Sequence, residues 1–187
     1  PKFIFRDPVF SINRKHTVAL CNLLIEKKIK VDFLVETHLK NLDDELIKLL
    51  KDAGLNTLPG TAAEILDDRI RKYLCPDKIT SQQWGYVMEV AHSIGINSTA
   101  TIMFGHIDDI ESWVNHYSLI KNIQIKTNGF TEIVPLPFVH MGSPIYIQGK
   151  SMPGPTWDEI VLVHSLARIY FHKYIDNIQA SWVKLGH

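Results

Sequence analysis

Phe130-Thr-Glu-Ile-Val-Pro-Leu-Pro-Phe138, followed by Val139-His-Met-Gly-Ser-Pro-Ile-Tyr146, is an apolar strand that runs directly into polar side chains. In an α/β barrel the strand C-termini share one face, so this is where a strand delivers functional groups to the mouth. Glu132 interrupts the apolar run. An unpaired buried carboxylate costs several kcal/mol or shifts its pKa. Its side chain therefore points into a lumen that holds a ligand or a basic partner, or it lies on an outer face under a helix.

Outward from this stretch, runs of strand length alternate with longer segments of helical period, the pattern of parallel βα units. Strands are expected at 2–5 and 31–35, in a run ending at Leu58, and at 98–104, 130–136 and 178–183. Helices are expected at 15–27, with Val18, Leu20, Leu23 and Leu24 inward, and from Asp43 to a stop at Gly54. Further helices are expected at 65–70, from a Thr80 or Ser81 cap to about 93 closed by Gly95, at 110–126 with Gly129 following, and at 157–174. The fold class is α/β, a partial parallel (βα) TIM-type barrel of about six βα units. The rival is a doubly wound open sheet, but no Gly-x-Gly-x-x-Gly turn follows the first strand to favour it.

The 187 residues, 45% of them hydrophobic, suffice for one core but fall short of the roughly 250 of a complete eight-stranded barrel. A single incomplete domain is expected, with Pro1 and the run up to His187 reading as cut ends. Twenty basic and twenty acidic side chains cancel, and no Lys or Arg run gives the one-sided positive face that nucleic acid needs. No segment is long and apolar enough for a membrane span, and no signal core opens the chain, so a cytoplasmic location is expected. Cys21 and Cys75 offer no paired spacing for a metal knuckle or a redox dithiol, and Cys21 reads as a buried thiol on a helix.

The residues just after each strand form a common rim: Arg6 and Asp7, Glu36 and Thr37, Gly60 to Glu64, Gly105 and His106, Pro137 to His140, and Lys184. Pro59-Gly-Thr-Ala-Ala-Glu64 joins a turn-forming pair to small residues that admit close backbone approach, and ends in a carboxylate; the bland reading of Glu64 is helix N-terminal stabilisation. His106 has the near-neutral pKa of a proton relay, and His140 and Tyr146 flank a Gly-Ser-Pro loop suited to a lid. His164 and Arg168 share a helical face without a third ligand, which favours a packing role.

Leu58-Pro-Gly-Thr-Ala-Ala-Glu-Ile65, Thr99-Ala-Thr-Ile-Met-Phe-Gly-His106, the Val-Pro-Leu-Pro-Phe run and Asn177-Ile-Gln-Ala-Ser-Trp-Val-Lys-Leu-Gly186 together resemble the radical S-adenosylmethionine (SAM) subunit of FO synthase. That family joins a tyrosine-derived fragment to a ribityl-uracil on the way to a deazaflavin cofactor. The resemblance runs from about Gly54 onward. Residues 1–53, with Phe5-Arg-Asp-Pro-Val-Phe10 and Val35-Glu-Thr37, look more like cobalamin-binding radical SAM proteins, with a join near 50–55.

The resemblance implies SAM and a [4Fe-4S] cluster as cofactors, tyrosine and ribitylaminouracil as substrates, and a companion radical SAM subunit. It implies cofactor contacts at Gly60, Thr61, Glu64, Thr101 and Met103, with Gly105 admitting the flat adenine, and catalytic roles for His106, Glu132 and His140. The cluster's three-cysteine loop is absent from this chain, and by the family pattern it would precede Pro1. Alternatives are another radical SAM reaction, cobalamin-dependent or of the menaquinone pathway, and a non-catalytic nucleoside-binding barrel segment.

Overall fold

A computed structural model describes residues 2–6, 9–60 and 63–181. Among these, the strands are β1 (Lys2–Phe5), β2 (Asp32–Val35), β3 (Leu55–Leu58), β4 (Asn97–Phe104), β5 (Phe130–Pro137) and β6 (Asn177–Ile178). They form one sheet in chain order, and every neighbouring pair is parallel. A doubly wound sheet would reverse its strand order partway. This one does not, and the fold is an open segment of a parallel (βα) barrel.

The helices are α1 (Arg14–Glu26), α2 (Asp44–Ala53), α3 (Asp68–Leu74), α4 (Ser81–Ser93), α5 (Ile110–Thr127), α6 (Pro144–Ile147) and α7 (Trp157–Tyr170). The larger ones touch in sequence, α1 on α2, α2 on α4 and α4 on α5, and Tyr117 of α5 stacks on Tyr170 of α7. On β4, Ser98 bonds His92 of α4 and Phe104 packs on Trp113 of α5, which puts 98, 100, 102 and 104 on the helix side. Thr99, Thr101 and Met103 then face the open side. The register pairs Ile133, Pro135 and Pro137 of β5 with the helix-side set, and Val134 and Leu136 with the open set. The core is the layer between: Phe33, Leu46, Leu50, Trp84, Ile102, Phe104 and Phe171 are all nearly sealed from solvent, each stabilising by about 1.5–3 kcal/mol.

Local chemistry sets several boundaries as expected. Asp43 caps α2 by accepting from Leu46 N–H, and Gly54 closes it at φ +112. Thr80 caps α4 through a reciprocal box with Gln83. Cys21 is fully buried, but Leu23 is 48% exposed and does not join the inward face. The helix expected over 65–70 starts later, at Asp68, and runs on to Leu74. Asp67 is instead the cap of α3, accepting from Arg69 N–H, and the carbonyls before it turn elsewhere. α7 ends at Tyr170, short of 174, and Lys173 takes a left-handed φ of +68. Of the expected sixth strand, Asn177–Ile178 is seen; Trp182 to His187, with Lys184, lie outside the described residues, as do Asp7 and Thr61.

Asn128 closes α5 at φ +50 and Gly129 follows it; a Cβ on Gly129 would sit 2.1 Å from the His92 ring. That ring is pinned by Ser98 and Thr127 hydroxyls, 2.7 Å from each nitrogen, and packs edge-on against Phe130. With the ring unable to retreat, Gly129→Ala is expected to lower unfolding free energy by about 2 kcal/mol in a urea titration. A loss within error would show that the ring is free to move.

Candidate functional site

β3 ends at Leu58, well before β4 reaches its C-terminal end, and Gly60 and Glu64 bond the rest of β4. Gly60 N–H donates to Thr99 Oγ1 at 2.8 Å, Thr101 Oγ1 donates to Gly60 O at 2.7 Å, and Met103 N–H donates to Glu64 O at 2.7 Å. A Cβ on Gly60 would lie 2.0 Å from Thr99 O. The close approach that this glycine permits is thus taken by β4 itself, and the Thr101 hydroxyl is spent on the same contact.

Glu64 adopts φ +47, a left-handed conformation that costs a residue with a Cβ about 1–2 kcal/mol. Its side chain pairs with Lys78, Oε1 to Nζ 2.5 Å, each about a quarter exposed. Behind it stands Arg71 of α3, buried, donating to Ala63 O, Ile65 O and Ile79 O. On the other side, His116 of α5 accepts from Leu66 N–H through Nδ1 at 2.9 Å. Burial, and then the Arg71 charge, push the His116 pKa down to about 3.

His106 is fully buried and does not line an open cavity. Its Nδ1 accepts from Ile107 N–H at 2.7 Å, so the ring is neutral and Nε2–H donates to Met103 O at 3.0 Å. Burial lowers its pKa despite Asp108 beside it. Asp108, which the sequence reading passed over, is the knot of this turn: its carboxylate accepts from Gly105 N–H, His106 N–H and the Trp113 indole at 2.6–3.0 Å. The spacing of Gly105, His106, Asp108 and Trp113 was its only sequence signal. Gly105, at φ +86, makes room for Pro155, whose ring would lie 2.3 Å from a Cβ there. It does not leave space for a flat base.

A cavity of about 480 Å³ opens at the ends of β4 and β5. Met103, Ile107 and Phe138 form its floor, Tyr73, Leu74 and Pro76 one wall, and Ser143, Pro144, Ile145, Gln148 and Lys150 the other. His140 lies beside it on the rim, its ring on Tyr146 and its Nδ1 bonded to Pro153 O. The loop that carries it is tied at its base by Met152 N–H to His106 O. Glu132 is elsewhere. It sits near the N-terminal end of β5, level with Asn177, and five residues of extended chain, roughly 16 Å, separate it from Pro137 at the mouth. Of the expected site residues, Met103 lines the cavity and His140 precedes its wall residues Ser143 to Ile145; Glu64 pairs with Lys78 outside that lining, and Gly60, Thr101 and His106 are buried.

His164 packs edge-on against Phe104 and bonds Ile160 O, while Arg168 reaches Asp176 O, both on α7 beneath the sheet. Among the described residues no three His, Cys, Asp or Glu side chains converge to hold a metal ion, and no helix is long and apolar enough to cross a membrane.

No protein-family model matches the chain. Over 142 residues, 76% of this chain and 40% of the relative, it is 56% identical to the 5-amino-6-(D-ribitylamino)uracil–L-tyrosine 4-hydroxyphenyl transferase of Methanocaldococcus jannaschii. It is 50% identical over 137 residues to the FO synthase of Mycobacterium leprae, covering 73% of this chain and 16% of that protein. The chain therefore spans less than half the length of these curated relatives. Among solved structures, the radical SAM enzyme coproporphyrinogen III oxidase of Escherichia coli superposes with a TM-score of 0.65 at 12% identity, over 87% of this chain and 38% of its own. That likeness is one of fold.

The buried histidines make stability depend on pH. Burial lowers His92 to about 4 and His116 to about 3, against an unfolded value near 6.5. Below that value the unfolded chain binds more protons, so the stabilisation is complete above pH 6.5 and is lost as pH falls toward 4. Each histidine is expected to remove about 2 kcal/mol between pH 7 and pH 5. Denaturant titrations across that range check this, and His92→Gln should flatten the profile. An unaltered slope in that variant would mean that His92 accepts its proton in the folded state.

Proposed function

Over the three quarters of its length that match, the chain belongs to the family of the ribitylaminouracil–tyrosine 4-hydroxyphenyl transferases and FO synthases, and on that premise we propose that it is a segment of a radical SAM transferase. The whole enzyme would couple a tyrosine-derived 4-hydroxybenzyl group to 5-amino-6-(D-ribitylamino)uracil, a carbon–carbon bond-forming step toward a deazaflavin, alongside a companion radical SAM subunit. The observation that carries this reading is the 56% identity across most of the chain. The parallel barrel segment, with its cavity at the strand C-termini, supports it.

This chain's own residues do not fit the cluster that the fold family implies. A [4Fe-4S] centre with one iron open to SAM needs three thiolates in one loop. Cys21 lies inside α1, its thiol pushed up to about 11 by burial, and Cys75 follows α3, raised by burial as well. Two protonated thiols in separate elements cannot supply that set.

What the chain does offer is a binding wall. Met103, Ile107 and Phe138 exclude water from the cavity floor, a setting suited to a flat ring. Glu64 would accept from ligand hydroxyls through the oxygen that Lys78 leaves free. His140, with its Nδ1 already committed, would turn Nε2 toward a substrate group at the mouth. Gly60, Thr101 and His106 would act by holding these residues in place, and Glu132 would act, if on a ligand, from the far end of the lumen.

A chimera tests the family reading. The homologous segment of the M. jannaschii transferase, replaced by this chain, is expected to form the coupled product from tyrosine and ribitylaminouracil at a rate within about tenfold of the parent. A folded, cluster-bearing chimera that cleaves SAM but gives no coupled product would exclude the assigned substrates. The chain alone, reconstituted anaerobically with iron and sulfide, is expected to retain neither in stoichiometric amount. Retention with SAM cleavage would overturn the cysteine argument.

A further inference from the structure

Resting on the reading of Glu64 as a ligand contact, we propose that Arg71 is a positioning residue. Its guanidinium grips the main chain on both sides of Glu64 and beside Lys78, and so fixes the ion pair that holds one carboxylate oxygen and presents the other to ligand hydroxyls.

Arg71 is only 3% exposed. Nη1 donates to Ala63 O at 2.5 Å and Ile65 O at 2.9 Å, while Nε and Nη2 donate to Ile79 O at 3.1 and 2.6 Å. The carboxylate of Asp68 is 3.8 Å away and largely exposed, so carbonyl dipoles do most of the compensating. A buried cation is an expensive way to tie a loop unless its geometry is needed. Here the planar fork with its several fixed donors reaches three carbonyls at once, which a lysine ammonium on a flexible stem cannot copy.

The choice of carbonyls is what points to a role in the site. Ala63 and Ile65 flank Glu64, which is held in a left-handed turn and pairs with Lys78. Ile79 follows Lys78, the partner of Glu64. One side chain therefore sets both halves of the pair, from two separate stretches of chain. Met103 N–H completes the fixation by holding Glu64 O, so the carboxylate is aimed relative to the cavity floor as well. Backbone strain persists where surrounding bonds over-determine it, and such places cluster at ligand sites.

Amine labelling of the whole chain by reductive methylation, read by mass spectrometry, tests this without a ligand. Glu64→Gln is expected to raise Lys78 labelling by about threefold, the scale of a lost partly exposed ion pair. Arg71→Lys should raise it equally, with Lys121, held on Tyr170 O and over the Tyr170 and Tyr174 rings, unchanged. A wild-type Lys78 rate in Arg71→Lys would overturn the proposal. So would a rise at both lysines, which would mark general loosening.

The second arm is equilibrium binding of S-adenosylhomocysteine and its 2′,3′-dideoxy analogue. Wild type should prefer the hydroxylated probe by about tenfold, and both variants should lose that preference. If wild type binds neither probe while Lys78 labelling behaves as expected, the adenosyl reading fails and the positioning role stands. If Arg71→Lys keeps the wild-type preference, the positioning role fails and the adenosyl reading stands.

Discussion

The backbone of β4 has to be satisfied along its full length, and the rest of the site follows from how that is done. A buried strand with unpaired N–H and C=O groups is strongly disfavoured. β3 pairs with β4 only at Thr57 and Leu58. Beyond that point the chain must run beside β4 without being a regular strand, and its bonds go through threonine hydroxyls at 99 and 101 and through Glu64 O. The contact leaves no room for a side chain at 60, forces a left-handed residue at 64, and needs an internal donor for the carbonyls at 63 and 65. Gly60, Glu64 and Arg71 are three answers to one packing requirement, and the Glu64 carboxylate is carried by that answer.

The sequence was legible where local rules decide the outcome. Alternating strand and helix periods gave the parallel order, and Asp43, Gly54 and Thr80 marked helix ends because capping uses residues three or four apart. The reading failed where a distant group takes a backbone bond. The stretch 65–70 has helical composition, yet Arg71 removes two of its neighbouring carbonyls and the helix starts at Asp68. The smallness of Gly129 serves the His92 ring, which no local pattern announces. For the same reason Gly105 answers to Pro155 from a loop fifty residues later.

The site was half visible. Motif likeness located Met103 in the cavity lining and His140 in the loop beside it, since strand ends converge in any parallel barrel. Depth and orientation were not visible. Nothing in Gly105-His106 reveals that the imidazole turns back under its own strand, because that depends on Asp108 gathering three donors around the turn. Glu132 sits on the right strand at the wrong level: alternation fixes a face, and only register fixes a height.

The sheet order has a consequence for how the molecule is made. Because β1 to β6 lie side by side in chain order, the first partner of each strand has already left the ribosome when that strand emerges. Each βα unit can dock on the one before it, and loop-closure distances stay short. During synthesis the growing edge is therefore always the newest strand, and folding can advance with translation as a moving front, never waiting for a distant segment to return.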